Sequence, residues 1–218
     1  MRKTKFFPGE RYHIFARGNA KQTLFFDVND RARLLFLILY FQSSESISNI
    51  SRSVRAFNLH KMFNVSSKMV QSVVQNRNVS LAAFTLMPNH FHLILEEVTE
   101  GGISKYMHKV LMAYAKYFNE KYAKSGHVFQ GPYRAVHIVS NKQLLHVSAY
   151  VHLNQSELSD SPEYAYGYDW SSCQDYVGEN RWGDLLDQKI ILEQFSTKEA
   201  YAHFLKTSGV KGKLKLSD

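Results

Sequence analysis

Cysteine is almost missing from this chain. Cys173 stands alone in 218 residues, so no internal disulfide can form and no zinc site built on several cysteines exists. A lone thiol fits a reducing compartment, which points to the cytoplasm. Long apolar runs are missing as well. No stretch reaches the ~18 uncharged apolar residues that a membrane-crossing helix needs. The basic start, Met1 to Lys5, leads into Pro8-Gly9-Glu10 rather than an apolar segment, so neither a signal peptide nor a membrane span is expected. Acid is in short supply: 19 Asp and Glu stand against 27 Lys and Arg, a formal charge of +8. That balance suits a polyanionic partner, nucleic acid first and an anionic membrane surface second. Proline occurs four times, and one of the four, Pro88, interrupts the most apolar part of the chain.

What is present is apolar and aromatic, 44% and 14% of residues, the composition of a globular protein and not a disordered one. The length carries a full core and suits one domain with additions better than two domains. Arg11 to Arg17 alternates, with Tyr12, Ile14 and Ala16 on one side, and reads as a first strand. Asp27 and Asp30 offer caps for a buried helix over Arg31 to Phe41. Gln42 to Ser53 is rich in Ser and Asn and reads as a loop or insertion that Ile47 and Ile50 could pin to the surface. Val54 to Asn64 is ambiguous. Ser66-Ser67 can cap a helix to Gln75. After the strand pair around Pro88, Ser104 can cap a long helix, Lys105 to Tyr122, with an aromatic stripe that reads as core. Its lysines, among them Lys105 and Lys109, are either a solvated face or a phosphate-contacting one. Ala135 to Val139 reads as a strand, and Ser140-Asn141 caps a helix running to about Asn154. Short helices are expected over Leu185 to Phe195 and Lys198 to Lys206, then a tail with four lysines.

The chemistry concentrates at Leu86-Met87-Pro88-Asn89-His90-Phe91-His92-Leu93-Ile94-Leu95. Pro88 marks a turn or strand start. From Phe91 onward the residues are those of a buried strand. Side chains alternate along a strand, so His90 and His92 leave one face ~7 Å apart. Two imidazoles so placed are two arms of a metal site, or two histidines that merely alternate. On the later helix, Tyr150 and Asn154 stand four residues apart and share a face. His146 lies one turn earlier on that side, and His152 on a different one.

Four segments in order carry a family resemblance. They are Arg17-Gly18-Asn19 with Phe25-Phe26-Asp27, then Met87-Pro88-Asn89-His90-Phe91-His92-Leu93, then Gly126-His127-Val128-Phe129-Gln130-Gly131-Pro132-Tyr133, and last Ala149-Tyr150-Val151-His152-Leu153-Asn154. Trp170-Ser171-Ser172 adds a fifth, weaker likeness. Over roughly residues 11 to 195 the chain resembles the bacterial HUH single-strand transposases, in particular the REP-associated tyrosine transposases. Pro132 stands where the family has a basic residue, and Gln155 where it has a proline.

The resemblance implies an α+β fold. A ferredoxin-like antiparallel sheet would carry the His-x-His pair on a central strand, with helices packed mainly on one face. It implies a catalytic domain over residues 1–156 with a polar insertion at about 42–80. A C-terminal extension, 157–218, would pack on that core and end in the basic tail. The implied activity is metal-dependent cleavage and rejoining of single-stranded or hairpin DNA through a 5′-phosphotyrosine intermediate. Tyr150 would be the nucleophile. His90, His92 and Asn154 would hold Mg²⁺ or Mn²⁺, with Gln155 and His152 as fallback third ligands. Arg17, Arg134, Lys105 and Lys109 are the candidate DNA contacts. A homodimer is left open, with Tyr150 serving its own chain's histidines or a partner's. The expected location is the cytoplasm, on the nucleoid. Two other readings stand beside this one: a regulatory protein that holds hairpin nucleic acid without cutting it, and a zinc hydrolase with Tyr150 remote from the metal.

Overall fold

In the computed structural model, which describes residues 4–159 and 162–209, four segments are strands. They are β1 (Arg11–Arg17), β2 (Val79–Met87), β3 (His90–Glu97) and β4 (Arg134–Ile138). They form one antiparallel sheet in the order β2-β3-β1-β4. Pro88 and Asn89 are the two-residue link of the β2–β3 hairpin, in which Met87 pairs with His90. The ring thus sits where no ladder N–H is required. The histidine strand β3 is an inner strand, as expected.

Register assigns the faces. Across β1 and β3, Tyr12 pairs with Leu95, Ile14 with Leu93 and Ala16 with Phe91. These share one face of the sheet, because directly opposed residues point the same way. The helices α1 (Val28–Tyr40) and, later in the chain, α4 (Gly102–Tyr122) cover it. Tyr106 donates its hydroxyl to the Ile38 carbonyl at 2.8 Å, and Tyr114 to the Leu24 carbonyl at 2.6 Å. The expected caps hold for α1: Asp27 and Asp30 form a reciprocal capping box. This is the ferredoxin-like order, strand-helix-strand-strand-helix-strand, with two main helices on one face. The opposite face carries His13, Phe15, Arg17, His90 and His92. It is closed by α5 (Asn141–Leu153), where the Tyr150 ring lies 5.2 Å from that of His92.

Two local expectations need correction. The helix after β3 starts at Gly102, not at Lys105, and Ser104 is not its cap residue. The free N–H of Ile103 goes instead to the buried Glu97 carboxylate, at 2.6 Å, a charge-assisted cap that also suits the helix dipole. The stretch read as loop to Ser53 turns helical at Ile50. There α2 (Ile50–His60) begins, followed by α3 (Ser67–Gln75). No side chain caps the start of α2. Tertiary packing holds it, with Phe57 stacked on Phe63 and against Trp170 and Trp182.

The later segments α6 (Pro162–Gly167), α7 (Cys173–Val177), α8 (Lys189–Leu192) and α9 (Lys198–Thr207) are short. They protect the outer edge of β2. Leu86 donates to the Trp170 carbonyl, Ser172 to that of Phe84 and Asp187 to that of Leu81. An edge satisfied this way offers no template for other strands. One apolar cluster runs from the sheet through Trp170, Tyr176 and Leu186 to Tyr201. Residues 210–218, which hold most of the expected basic tail, lie outside the described residues. Among the described residues no helix is long and apolar enough to cross a membrane.

Candidate active site

Three of the four motif segments meet at one end of the sheet. Gly18 donates its N–H to the Asn89 carbonyl at 2.8 Å, and Asn19 to that of Val128 at 2.9 Å. Gln130 donates to the Arg17 carbonyl at 2.8 Å, and Leu24 to that of Pro88 at 2.9 Å. Gly18 has to be small, because a Cβ there would stand 2.3 Å from the Gln22 carbonyl oxygen. This knot fixes the β2–β3 turn, and with it the start of the histidine strand. The fourth segment, on α5, supplies Tyr150 and Asn154 from above.

The residues singled out by the sequence converge. The rings of His90 and His92 are 5.1 Å apart and perpendicular. Tyr150 meets His92 edge-on, with the Asn154 side chain near its hydroxyl. Asn154 Oδ1 faces His90 Nε2 at 3.3 Å. Arg17 lies directly across from His90 in the ladder. The cluster is partly closed: His92 has no exposed surface and Tyr150 keeps 9%, while His90 and Arg17 are half-buried. Tyr150 is therefore not remote from the histidines, as the zinc-hydrolase reading required.

Protonation follows from this packing. Burial pulls His90 down to about 4, aided by the Arg17 charge and opposed by the Asn154 contact. Burial holds His92 well below the ordinary histidine range, and the neighbouring His13, His90 and Arg17 add to the effect. Both rings are neutral near pH 7, the state a metal ligand requires. Burial raises the Tyr150 phenol above its ordinary range, and Glu157 adds to the rise. The Asn154 hydrogen bond and the Arg17 charge pull the other way.

The donor geometry fits a cation. His90 Nδ1 is 2.8 Å from Asn89 Oδ1, an acceptor, so this nitrogen carries the ring proton. His90 Nε2 is then a lone pair facing the Asn154 oxygen, two acceptors in contact. A cation between them relieves this, or a turned amide. Donors on adjacent corners of an octahedral ion at ~2.1 Å stand ~3.0 Å apart, close to the 3.3 Å found here. His92 Nε2 is buried with no hydrogen-bond partner, and a buried polar nitrogen left alone is costly. No cluster of three His, Cys, Asp or Glu side chains able to hold a metal occurs among the described residues, and the polar side chain facing His90 Nε2 is the Asn154 amide.

The fallback ligands are engaged elsewhere. His152 points away from the cluster, its Nδ1 2.7 Å from the Tyr201 hydroxyl and its Nε2 2.8 Å from Ser172 Oγ. Gln155 donates to the carbonyls of His152 and Ala165, and its oxygen accepts from Thr85. His146 is exposed beside Phe204. Of the four candidate DNA contacts, Arg17 lies at the cluster, and Arg134, opposite Phe15, is on the same face of the sheet. Lys105 and Lys109 are on α4, across the sheet from the site. Lys109 also donates to the Glu45 carbonyl and sits 4.4 Å over the Phe41 ring.

One residue of the cluster escaped the sequence reading. His13 is buried on β1, its Nε2 2.9 Å from His92 Nδ1. Alternation in β1 puts Tyr12, Ile14 and Ala16 on one side and by itself assigns no role to His13 on the other. The available signal was a third histidine on another strand of the same sheet.

The family described as Transposase IS200 like matches residues 49–154. That span holds β2, β3, α4, β4 and α5, with His90, His92, Tyr150 and Asn154. Over those residues the chain is similar to the IS200-like transposases. A solved structure described as a REP-associated tyrosine transposase bound to a REP hairpin superposes with a TM-score of 0.53. The likeness covers 81% of this chain and 84% of that one, at 13% sequence identity. At such identity the likeness is one of fold. None of the curated proteins matches. The strand β1, with His13 and Arg17, precedes the matched span.

Proposed function

We propose that the protein is a metal-dependent strand transferase for single-stranded or hairpin DNA, with Tyr150 as nucleophile and His90, His92 and Asn154 as ligands of Mg²⁺ or Mn²⁺. The observation that carries this reading is the meeting of one phenol, two neutral imidazoles and one carboxamide in a single cluster, with His92 Nε2 unpartnered. The IS200-like match supports the reaction class, and the hairpin held by the structural neighbour supports the substrate. Of the two ions, the two-imidazole set favours Mn²⁺, the softer one.

Tyr150 would bond through its oxygen to the scissile phosphorus while the bond from phosphorus to the 3′ oxygen breaks in line. The phenol proton ends on the departing 3′-hydroxyl. The product is a 5′-phosphotyrosine and a free 3′ end, and attack by a second 3′-hydroxyl reverses the step and rejoins DNA. A divalent cation on these ligands would polarise the phosphate and stabilise its added charge. Asn154 and the Arg17 charge both favour the ionised form of the phenol. The test is incubation of a single-stranded hairpin with the protein and Mn²⁺, followed by denaturing electrophoresis. A covalent protein–DNA adduct is expected, absent without the ion and absent in Tyr150→Phe. An adduct that persists in Tyr150→Phe overturns the assignment.

One observation favours a second reading, a regulator that holds hairpin nucleic acid without cutting. Tyr150 is nearly buried and its phenol is shifted toward the protonated form. In that case hairpin binding survives His90→Ala, and the unaltered protein forms no adduct.

A further inference from the structure

We propose that His13 is a positioning residue: its Nε2 accepts the Nδ1–H of His92 and so keeps the opposite nitrogen of His92 unprotonated and available to a cation. The inference rests on the reading of the cluster as a metal centre and adds a residue to it. The contact is short, 2.9 Å, and buried at both ends, with His13 6% exposed and His92 not at all. The rings are 21° from parallel, which suits a hydrogen bond lying in the plane of both, where the nitrogen lone pair is. Two neutral imidazoles share one proton across such a contact, and only two arrangements exist. If His13 donated, His92 would carry its proton on Nε2, a buried N–H with no acceptor. If His92 donates, Nε2 is a bare lone pair, which a cation satisfies. A hydrogen bond to the far nitrogen of a metal-binding histidine fixes its tautomer and orientation and raises its basicity.

The strand register makes the contact possible. His13 is the diagonal neighbour of His92, two residues from Phe15, its direct partner. An imidazole spans that diagonal, and so does a glutamine amide. The Phe15 ring, 5.2 Å from His13 and 5.7 Å from His92, flanks the pair.

The experiment compares His13→Phe and His13→Gln with the unaltered protein, without DNA, by Mn²⁺ titration in calorimetry or paramagnetic resonance. His13→Phe, which cannot accept, is expected to weaken Mn²⁺ binding about 10- to 100-fold. His13→Gln, whose side-chain oxygen can accept, is expected to regain most of it. Equal affinity in His13→Phe, or an equal loss in both variants, overturns the proposal. A second measurement needs no variant: ring nitrogen NMR of the metal-free protein should find the His92 proton on Nδ1. A proton on Nε2 overturns the role of His13 whether or not the variants fold. If the unaltered protein binds no Mn²⁺, the metal reading itself fails, while the NMR result still decides which histidine donates.

Discussion

His152 stands two residues from Tyr150 and has the opposite task. Both its nitrogens are bonded inside the core, to Tyr201 and Ser172, and burial lowers it to about 3. The folded protein therefore holds it neutral, whereas the unfolded chain protonates it near its ordinary pKa of 6.5. Its contribution to stability is fully present above pH 6.5 and is lost as pH falls toward about 3. Between pH 7.5 and 4.5 this one residue should cost about 2 to 3 kcal/mol. His13 and His90, lowered to about 4 by burial, act in the same direction. Urea unfolding at the two pH values is expected to show a smaller drop in His152→Gln than in the unaltered protein, from a lower starting stability. An equal drop would mean that His152 titrates as freely as a surface histidine. The same residue marks a limit of sequence reading. Helical spacing put His152 on a different side from Tyr150, correctly, yet kept it as a fallback ligand. Only its bonds to Tyr201 and Ser172, residues distant in sequence, remove it. His13 failed the other way: alternation gave its face, but nothing in β1 itself says that α5 buries that face too.

At the level of elements, most of the architecture was legible. Alternation gave β1, Pro88 gave the hairpin turn, and Asp27 gave the cap of α1, which starts at Val28 and not at Arg31. What was missed depends on contacts between elements. The first turn of α2 lacks a capping side chain and exists because Phe57 has Phe63, Trp170 and Trp182 to pack on. The start of α4 is set by Glu97 and by the tight approach of Asn78. A Cβ at Gly102 would lie 2.2 Å from the Asn78 carbonyl oxygen, which already accepts from Val98 and Thr99. Backbone tied on both sides cannot move aside cheaply. Gly102→Ala is thus expected to destabilise by roughly 1 to 3 kcal/mol despite the better helix propensity of alanine. Gly167→Ala, with open space around the added carbon, is the control and should change little. Denaturant midpoints of the two variants check the contrast. An unharmed Gly102→Ala would mean that the Asn78 turn is softer than its hydrogen bonds suggest.

For the whole molecule, the two faces of the sheet divide the charge. The surplus of +8 pointed to a polyanion but not to where it would lie, and spacing alone could not tell Lys105 from Arg17. The fold separates them: Arg17 and Arg134 share the face of the histidines, and Lys105 is on the helix behind. On the proposed function, hairpin affinity should fall steeply with salt, as counterions compete for the phosphates. Arg17→Ala and Arg134→Ala should each lower the slope of log affinity against log salt by about one. Lys105→Ala should leave the slope unchanged. Fluorescence anisotropy across a salt series reads this directly, and a reduced slope in Lys105→Ala would mean that DNA also tracks the α4 face.

The hydroxyl of Tyr201 on α9 bonds both His152 and Ser148 of α5. This has a consequence in time. A ribosome makes the histidine strand and the tyrosine helix well before it makes residue 201. Until then α5 lacks the two bonds that the Tyr201 hydroxyl makes to its core side. A half-made polypeptide therefore carries every group of the cluster before Tyr201 ties down the helix that bears the phenol.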